Sequence, residues 1–101
     1  MGVGCAMTAY VILDVEIHDI EPYMQYMASV KPLIEQYGGR YLVRGGEFEV
    51  IEGDYQPARL VLLEFPDLEA IEDFYQSPGY RALKQLRESC STASMVAVQG
   101  C

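Results

Sequence analysis

Asp14, Glu64 and Arg44 are the residues with which this chain could perform acid–base chemistry on a small molecule. Two neighbouring carboxylates repel unless one takes a proton or a cation lies between them, and an arginine can steady negative charge as it develops on a substrate. Arg40, four residues before Arg44, supplies a second cation, and Tyr10, Tyr41, Tyr75 and Tyr80 offer rings and hydroxyls to an aromatic ligand. The candidate site is therefore catalytic Asp14, Glu64 and Arg44, with ligand contacts from Tyr10, Arg40, Tyr41, Tyr75 and Tyr80. The alternative is a structural ion-pair network that pins strand ends or a dimer.

Other chemistries have little to work with. His18 is the only histidine and lies beside Asp19 and Glu21, too few nitrogen or sulfur ligands for a transition metal, so it is expected at the surface and no metal is expected. A Ser-His-Asp arrangement or a haem ligand would have to use that same residue. The glycines of RGGEFEVIEG lack phosphate-loop or dinucleotide spacing, and no cofactor is expected. Arg81, Lys84 and Arg87 make a basic stripe that reads as a solvated helix face or as a partner contact with the acidic first helix region. Tyr23 and Tyr37 read as core, and Tyr26 is ambiguous.

Fifteen acidic against seven basic side chains give a formal charge of −8, which disfavours nucleic acid and anionic lipid as partners. Wholly apolar runs such as Leu60 to Leu63 are far short of the roughly 20 residues that span a bilayer. Cys5, Cys90 and Cys101 form no spaced framework, which suits a reducing, cytoplasmic setting. Half of the 101 residues are hydrophobic, enough for one core. Residues 1–8 are expected to be a disordered extension and 9–101 a single domain.

The elements that must position the candidate residues follow from pattern. AYVILDVE, 9 to 16, is a central strand with Val11, Leu13 and Val15 on one face and Tyr10, Ile12 and Asp14 on the other. Asp19 is expected to cap a helix whose first turn holds Pro22 and whose stripe is Tyr23, Met27, Val30, Ile34 and Tyr37, with a kink at Pro32 and a stop at Gly38-Gly39. Arg40 to Val43 begins a strand, Gly45-Gly46 permits a bulge that bends its edge around a polar patch, and Glu47 to Ile51 resumes it. After the turn EGDYQPAR, residues 59 to 65 pair back as a hairpin, apolar on both faces. Pro66-Asp67 opens a helix to Gln76, Ser77-Pro78-Gly79 interrupts, a second helical set runs from Tyr80 to about Ser89, and SMVAVQ closes the sheet.

The order β-α-β-β-α-β is the ferredoxin-like α+β pattern, with both helices on one sheet face. Since the first and third strands are apolar on the second face too, a second copy of the chain is expected to cover it, making a homodimer with the candidate site in the sheet and dimer cleft. The first and third strands are taken as parallel neighbours, which would bring Asp14 and Glu64 to the same end of the sheet.

The stretches AYVILDVEIHD, GGRYLVRGG, EGDY, LEFPDLEA, SPGY and the closing VAVQG, in that order, resemble the domain-of-unknown-function family 1330, a branch of the dimeric α+β barrel superfamily. Tyr55 stands where that family frequently has tryptophan, and Gly79 where an acidic residue is common. The resemblance implies a dimer in which each sheet forms half of a barrel. The superfamily also holds cofactor-free monooxygenases, lactone isomerases and haem enzymes, which is fold analogy only. The function expected is a cofactor-independent oxygenase or isomerase acting on an acidic or enolisable aromatic; the alternative is a non-catalytic metabolite-binding or structural dimer.

Overall fold

The computed structural model describes residues 8–101. The expected extension at 1–8 falls, but for Thr8, outside the described residues, as does Cys5. The chain runs β1 (Ala9–Ile17), α1 (Ile20–Gln36), β2 (Arg40–Arg44), β3 (Leu60–Phe65), α2 (Leu68–Gln76), α3 (Pro78–Cys90) and β4 (Ser91–Gln99). The strands form one antiparallel sheet in the order β2-β3-β1-β4, the ferredoxin-like arrangement anticipated from the element order.

Alternation on the central strands decides which face meets the helices. Ala9, Val11, Leu13 and Val15 of β1 and Val61, Leu63 and Phe65 of β3 are buried, whereas Ile12 stays 40% exposed. Phe74 of α2 sits at the centre of that core, with ring centroids 5.4 Å from Phe65 and 4.7 Å from Tyr80. The other face carries Tyr10, Ile12 and Asp14 opposite Val98, Val96 and Ser94.

The direction of β3 corrects one expectation. It runs antiparallel to β1, with Tyr10 opposite Glu64 and Asp14 opposite Leu60. Asp14 and Glu64 therefore lie at opposite ends of the pairing, about 13 Å apart along the strands at the usual rise. The helical crossover returns β2 parallel to β1, and the following hairpin must reverse the chain again.

Local signals fix the helix ends, with some differences. Asp67 accepts the Ala70 amide at 2.7 Å and caps α2, while Ser77 accepts the Tyr80 amide at 3.1 Å and caps α3. Thus Ser77-Pro78-Gly79 starts a helix rather than merely interrupting one, because a first-turn proline has no amide to lose. Asp19 occupies the cap position of α1 in extended conformation, but its side chain makes no capping bond. Helix α1 is continuous through Pro32; Pro32 and Ala28 are both exposed, so the carbonyl left without a partner faces water. Gly38, at φ +83°, ends the turn, and a Cβ there would press on Pro66 at 2.9 Å.

Strand β2 is shorter and bent elsewhere than expected. Its bulge lies between Tyr41 and Val43, leaving Leu42 as the extra residue. Gly45, at φ +73°, turns the chain out of the sheet while its amide still bonds Leu60 O at 2.8 Å. Glu47 to Ile51 do not form a strand. Beyond Gly45 they belong to the long loop that leads to β3.

Candidate ligand cavity between sheet and helices

The Leu42 bulge sorts the two arginines of the opening strand. Without it, residues 40 and 44 would share a face; with the extra residue their faces differ. Arg40 pairs with Glu64 on the outer face, Nε to Oε1 at 2.7 Å, and its side chain is largely in solvent. Arg44 lies on the inner face, its guanidinium carbon 4.5 Å from the centroid of Tyr41, and there it borders a cavity.

That cavity, of about 820 Å³, separates the sheet from the helices. Val11, Leu13, Val61 and Leu63 form its floor, and α1 supplies Tyr23, Tyr26 and Met27. Helix α2 adds Ile71, Phe74 and Tyr75, and Tyr80 comes from α3. Cations and acids enter from opposite ends of β3: Arg44 and Arg59 beside its start, Glu69 and Glu72 from the helix that follows its finish. Such a volume, mostly apolar with a few convergent polar groups, has the dimensions of a small-molecule site.

Arg59 is held from several sides. Its backbone amide donates to Asp14 Oδ1 at 3.3 Å, and its carbonyl accepts from Val15 at 3.0 Å. On the inner side its Nη2 reaches Met27 Sδ at 3.9 Å and Arg44 O at 3.5 Å, and the guanidinium carbon stands 5.9 Å from the Tyr23 ring centroid. The carboxylate of Asp14 also accepts from the Tyr55 hydroxyl at 2.5 Å and the Ala58 amide at 2.9 Å. These donors, Tyr55 foremost, hold the Asp14 carboxyl below its usual range, and the same bond raises the Tyr55 phenol.

The candidate residues thus divide between two faces. Arg44, Tyr41, Tyr75 and Tyr80 border the cavity, while Tyr10, Asp14, Arg40 and Glu64 are on the outer sheet surface. The geometry adds Tyr23, Tyr26 and Arg59 to the cavity wall. Behind it stands Arg87, only 6% exposed, which donates through Nε to the Tyr80 hydroxyl at 3.3 Å. This corrects the solvated stripe: Arg81 is exposed, but Arg87 turns inward, seven residues from Tyr80 on the same helix face. Burial raises the phenols of Tyr23, Tyr26 and Tyr41, so they stay neutral donors.

His18 is exposed and bonds Thr92 Oγ1 through Nε2 at 2.8 Å. Among the described residues no group of three or more His, Cys, Asp or Glu gathers to hold a metal, and no helix is long and apolar enough to cross a membrane.

The model of the family described as Domain of unknown function (DUF1330) matches residues 8–101. The chain belongs to that family. No curated protein matches. Among solved structures, a protein of unknown function from Rhodopseudomonas palustris superposes with TM-score 0.78 at 16% identity, covering 95% of this chain and 84% of the other. A dimeric ferredoxin-like protein of unknown function from Jannaschia sp. CCS1 gives 0.68 at 14%, with coverages of 92% and 99%. SnoaB, a cofactor-independent oxygenase from Streptomyces nogalater, gives 0.66 at 10%, with 95% of each chain covered. At these identities the family member and its structural neighbours share a fold.

Proposed function

We propose that this protein takes a small aromatic molecule into the cavity between its sheet and helices, with an acidic group of the ligand against Arg44 and Arg59, and acts on it without a cofactor as an oxygenase or isomerase. The single observation that carries this is the cavity of about 820 Å³ walled by Tyr23, Tyr26, Tyr41, Tyr75 and Tyr80 with the two arginines at one end. Oxygenation without a cofactor requires a substrate that is its own reductant: an enolisable arene methylene gives up two hydrogens to one oxygen atom as water and takes the other as a carbonyl. Asp14 contributes by fixing the backbone from which Arg59 enters. A second proposal, non-catalytic metabolite binding, is favoured by the cavity wall itself, which has no histidine and only Glu69 and Glu72 as carboxylates, both exposed.

Two copies are proposed to associate through the outer sheet faces. Ile12, Val96 and Val98 are 40%, 57% and 45% exposed there, a cluster that water does not favour. The description of the Jannaschia neighbour as dimeric supports association in pairs, without saying through which face.

The test combines binding and turnover. Anilinonaphthalene sulfonate, an aromatic anion, is expected to bind and fluoresce, and Arg44→Ala to weaken it roughly tenfold. Oxygen uptake with an anthrone carboxylate, faster with wild type than with Arg44→Ala, supports the enzyme; binding without any acceleration supports the carrier. No binding of the sulfonate overturns both.

A further inference from the structure

A buried polar line of three groups beside the cavity joins α1 to α3. Arg87 Nε–H donates to the Tyr80 hydroxyl at 3.3 Å, and the hydroxyls of Tyr80 and Tyr26 meet at 2.9 Å. Protons can be placed along this line by elimination. A guanidinium only donates, so the Tyr80 oxygen is an acceptor toward Arg87. Tyr80 is 0% exposed, and the Tyr26 oxygen is the one acceptor its own hydroxyl reaches among the described residues. Either direction leaves one proton without a protein acceptor, and the cost of roughly 1–3 kcal/mol for a buried unpaired donor is avoided only where that proton reaches open space, which favours Tyr26, 5% exposed, over Tyr80, 0% exposed.

The chain is thus directed from Arg87 through Tyr80 to Tyr26. The Tyr26 oxygen accepts from Tyr80, and the Tyr26 proton has no protein acceptor among the described residues. Tyr26 borders the cavity and keeps 5% of its surface exposed. Arg87 lies behind Tyr80, outside the cavity wall, where its positive charge polarises both hydroxyls toward donation.

We infer that Tyr26 presents its hydroxyl proton into the cavity as the last donor of a chain that begins at Arg87, and that it receives a carbonyl, phenolate or enolate oxygen on an otherwise apolar ring-bearing ligand. This rests on the cavity being the ligand site. It places the oxygen acceptor at Tyr26 and leaves Arg44 and Arg59 for a separate acidic group. Tyr26 touches the ligand; Tyr80 and Arg87 are positioning residues that act through it.

Fluorenone and fluorene test this, since they share a planar three-ring frame and differ by a carbonyl in place of a methylene. A guanidinium can also donate to a neutral carbonyl, so the Tyr26 variant, and not the preference alone, assigns the donor. Wild type is expected to bind fluorenone about three- to tenfold more tightly than fluorene, the worth of one neutral hydrogen bond. Tyr26→Phe should abolish that preference while binding fluorene within about twofold of wild type, and the infrared carbonyl stretch of bound fluorenone should rise. A merely structural role for Tyr26 would weaken both ligands alike. Tyr80→Phe, which removes the link to Arg87, should reduce the preference and raise the stretch in the same sense, and it serves if Tyr26→Phe does not fold. Equal binding of the two ligands by wild type, or a preference that survives in Tyr26→Phe, overturns the donor assignment alone. Failure of both ligands to bind wild type overturns the cavity as a ligand site and the donor assignment with it.

Discussion

The Tyr55 hydroxyl donates to Oδ2 of Asp14 at 2.5 Å, tying the long loop between β2 and β3 to the outer surface of β1. The Ala58 and Arg59 amides converge on Oδ1 of the same carboxylate, so the loop approaches β3 already anchored. The carboxyl is held below its ordinary value of 3.8 by these donors, with burial opposing them. A lowered folded-state value means that the stabilisation is complete above pH 3.8 and is lost as pH falls through the folded-state value. Asp14→Asn is expected to be less stable than wild type at pH 7, and the two should converge in strong acid. Urea titrations across that range measure the gap; a gap independent of pH would show that the carboxylate charge plays no part.

Gly45 supports the cationic end of the cavity. Its φ is +73°, and a Cβ built there would collide with the Arg59 guanidinium. Gly45→Ala is expected to cost about 1–3 kcal/mol in denaturant unfolding. It should also weaken anilinonaphthalene sulfonate binding, because Arg59 must move. Full stability in the alanine variant would refute the strain, and unchanged binding would remove Arg59 from the site.

Ile12 and Val96 face each other on the outer sheet surface and serve as a probe of assembly. The double variant Ile12→Asp, Val96→Asp places two like charges where the proposed partner would pack. Light scattering should give a dimer for wild type at micromolar concentration and a monomer for the variant. A wild-type monomer would count against the association.

Ser77 links the helices that shape the cavity. Its hydroxyl donates to Phe74 O at 2.8 Å and accepts from the Tyr80 amide, and Phe74 and Tyr80 both border the cavity. Ser77→Ala is expected to lower stability by about 1 kcal/mol, the usual worth of a cap. Thermal melts check this, and a shift under about 1 °C would show that water replaces the cap.

Much of the fold could be read from residue pattern because its signals are local. The inward set Val11, Leu13 and Val15 follows from simple alternation, and Asp67 announces its helix through a short polar side chain at the first turn, whereas Ser77, followed by proline and glycine, reads as a break although it caps α3. The bulge could not be placed this way: Leu42 carries no glycine or proline mark, and the glycines that attract attention come three residues later. The opposed directions of β1 and β3 were implicit in the connections, since a helical return followed by a hairpin reverses the chain once. Arg87 was hidden by its company, a basic triplet that resembles a wet surface. Its distance of seven residues from Tyr80, two helical turns, was the available clue. Arg59 sat inside a turn, where composition says nothing about which way a long side chain reaches.

The supernumerary Leu42 makes β2 sensitive to length in a way that ordinary point substitution is not. Losing that single codon would restore strict two-residue alternation and carry Arg44 from the helix-facing side of the sheet to the other, with every remaining letter unchanged. An indel of one residue could thereby strip the cavity of a positive charge and hand it to the opposite surface.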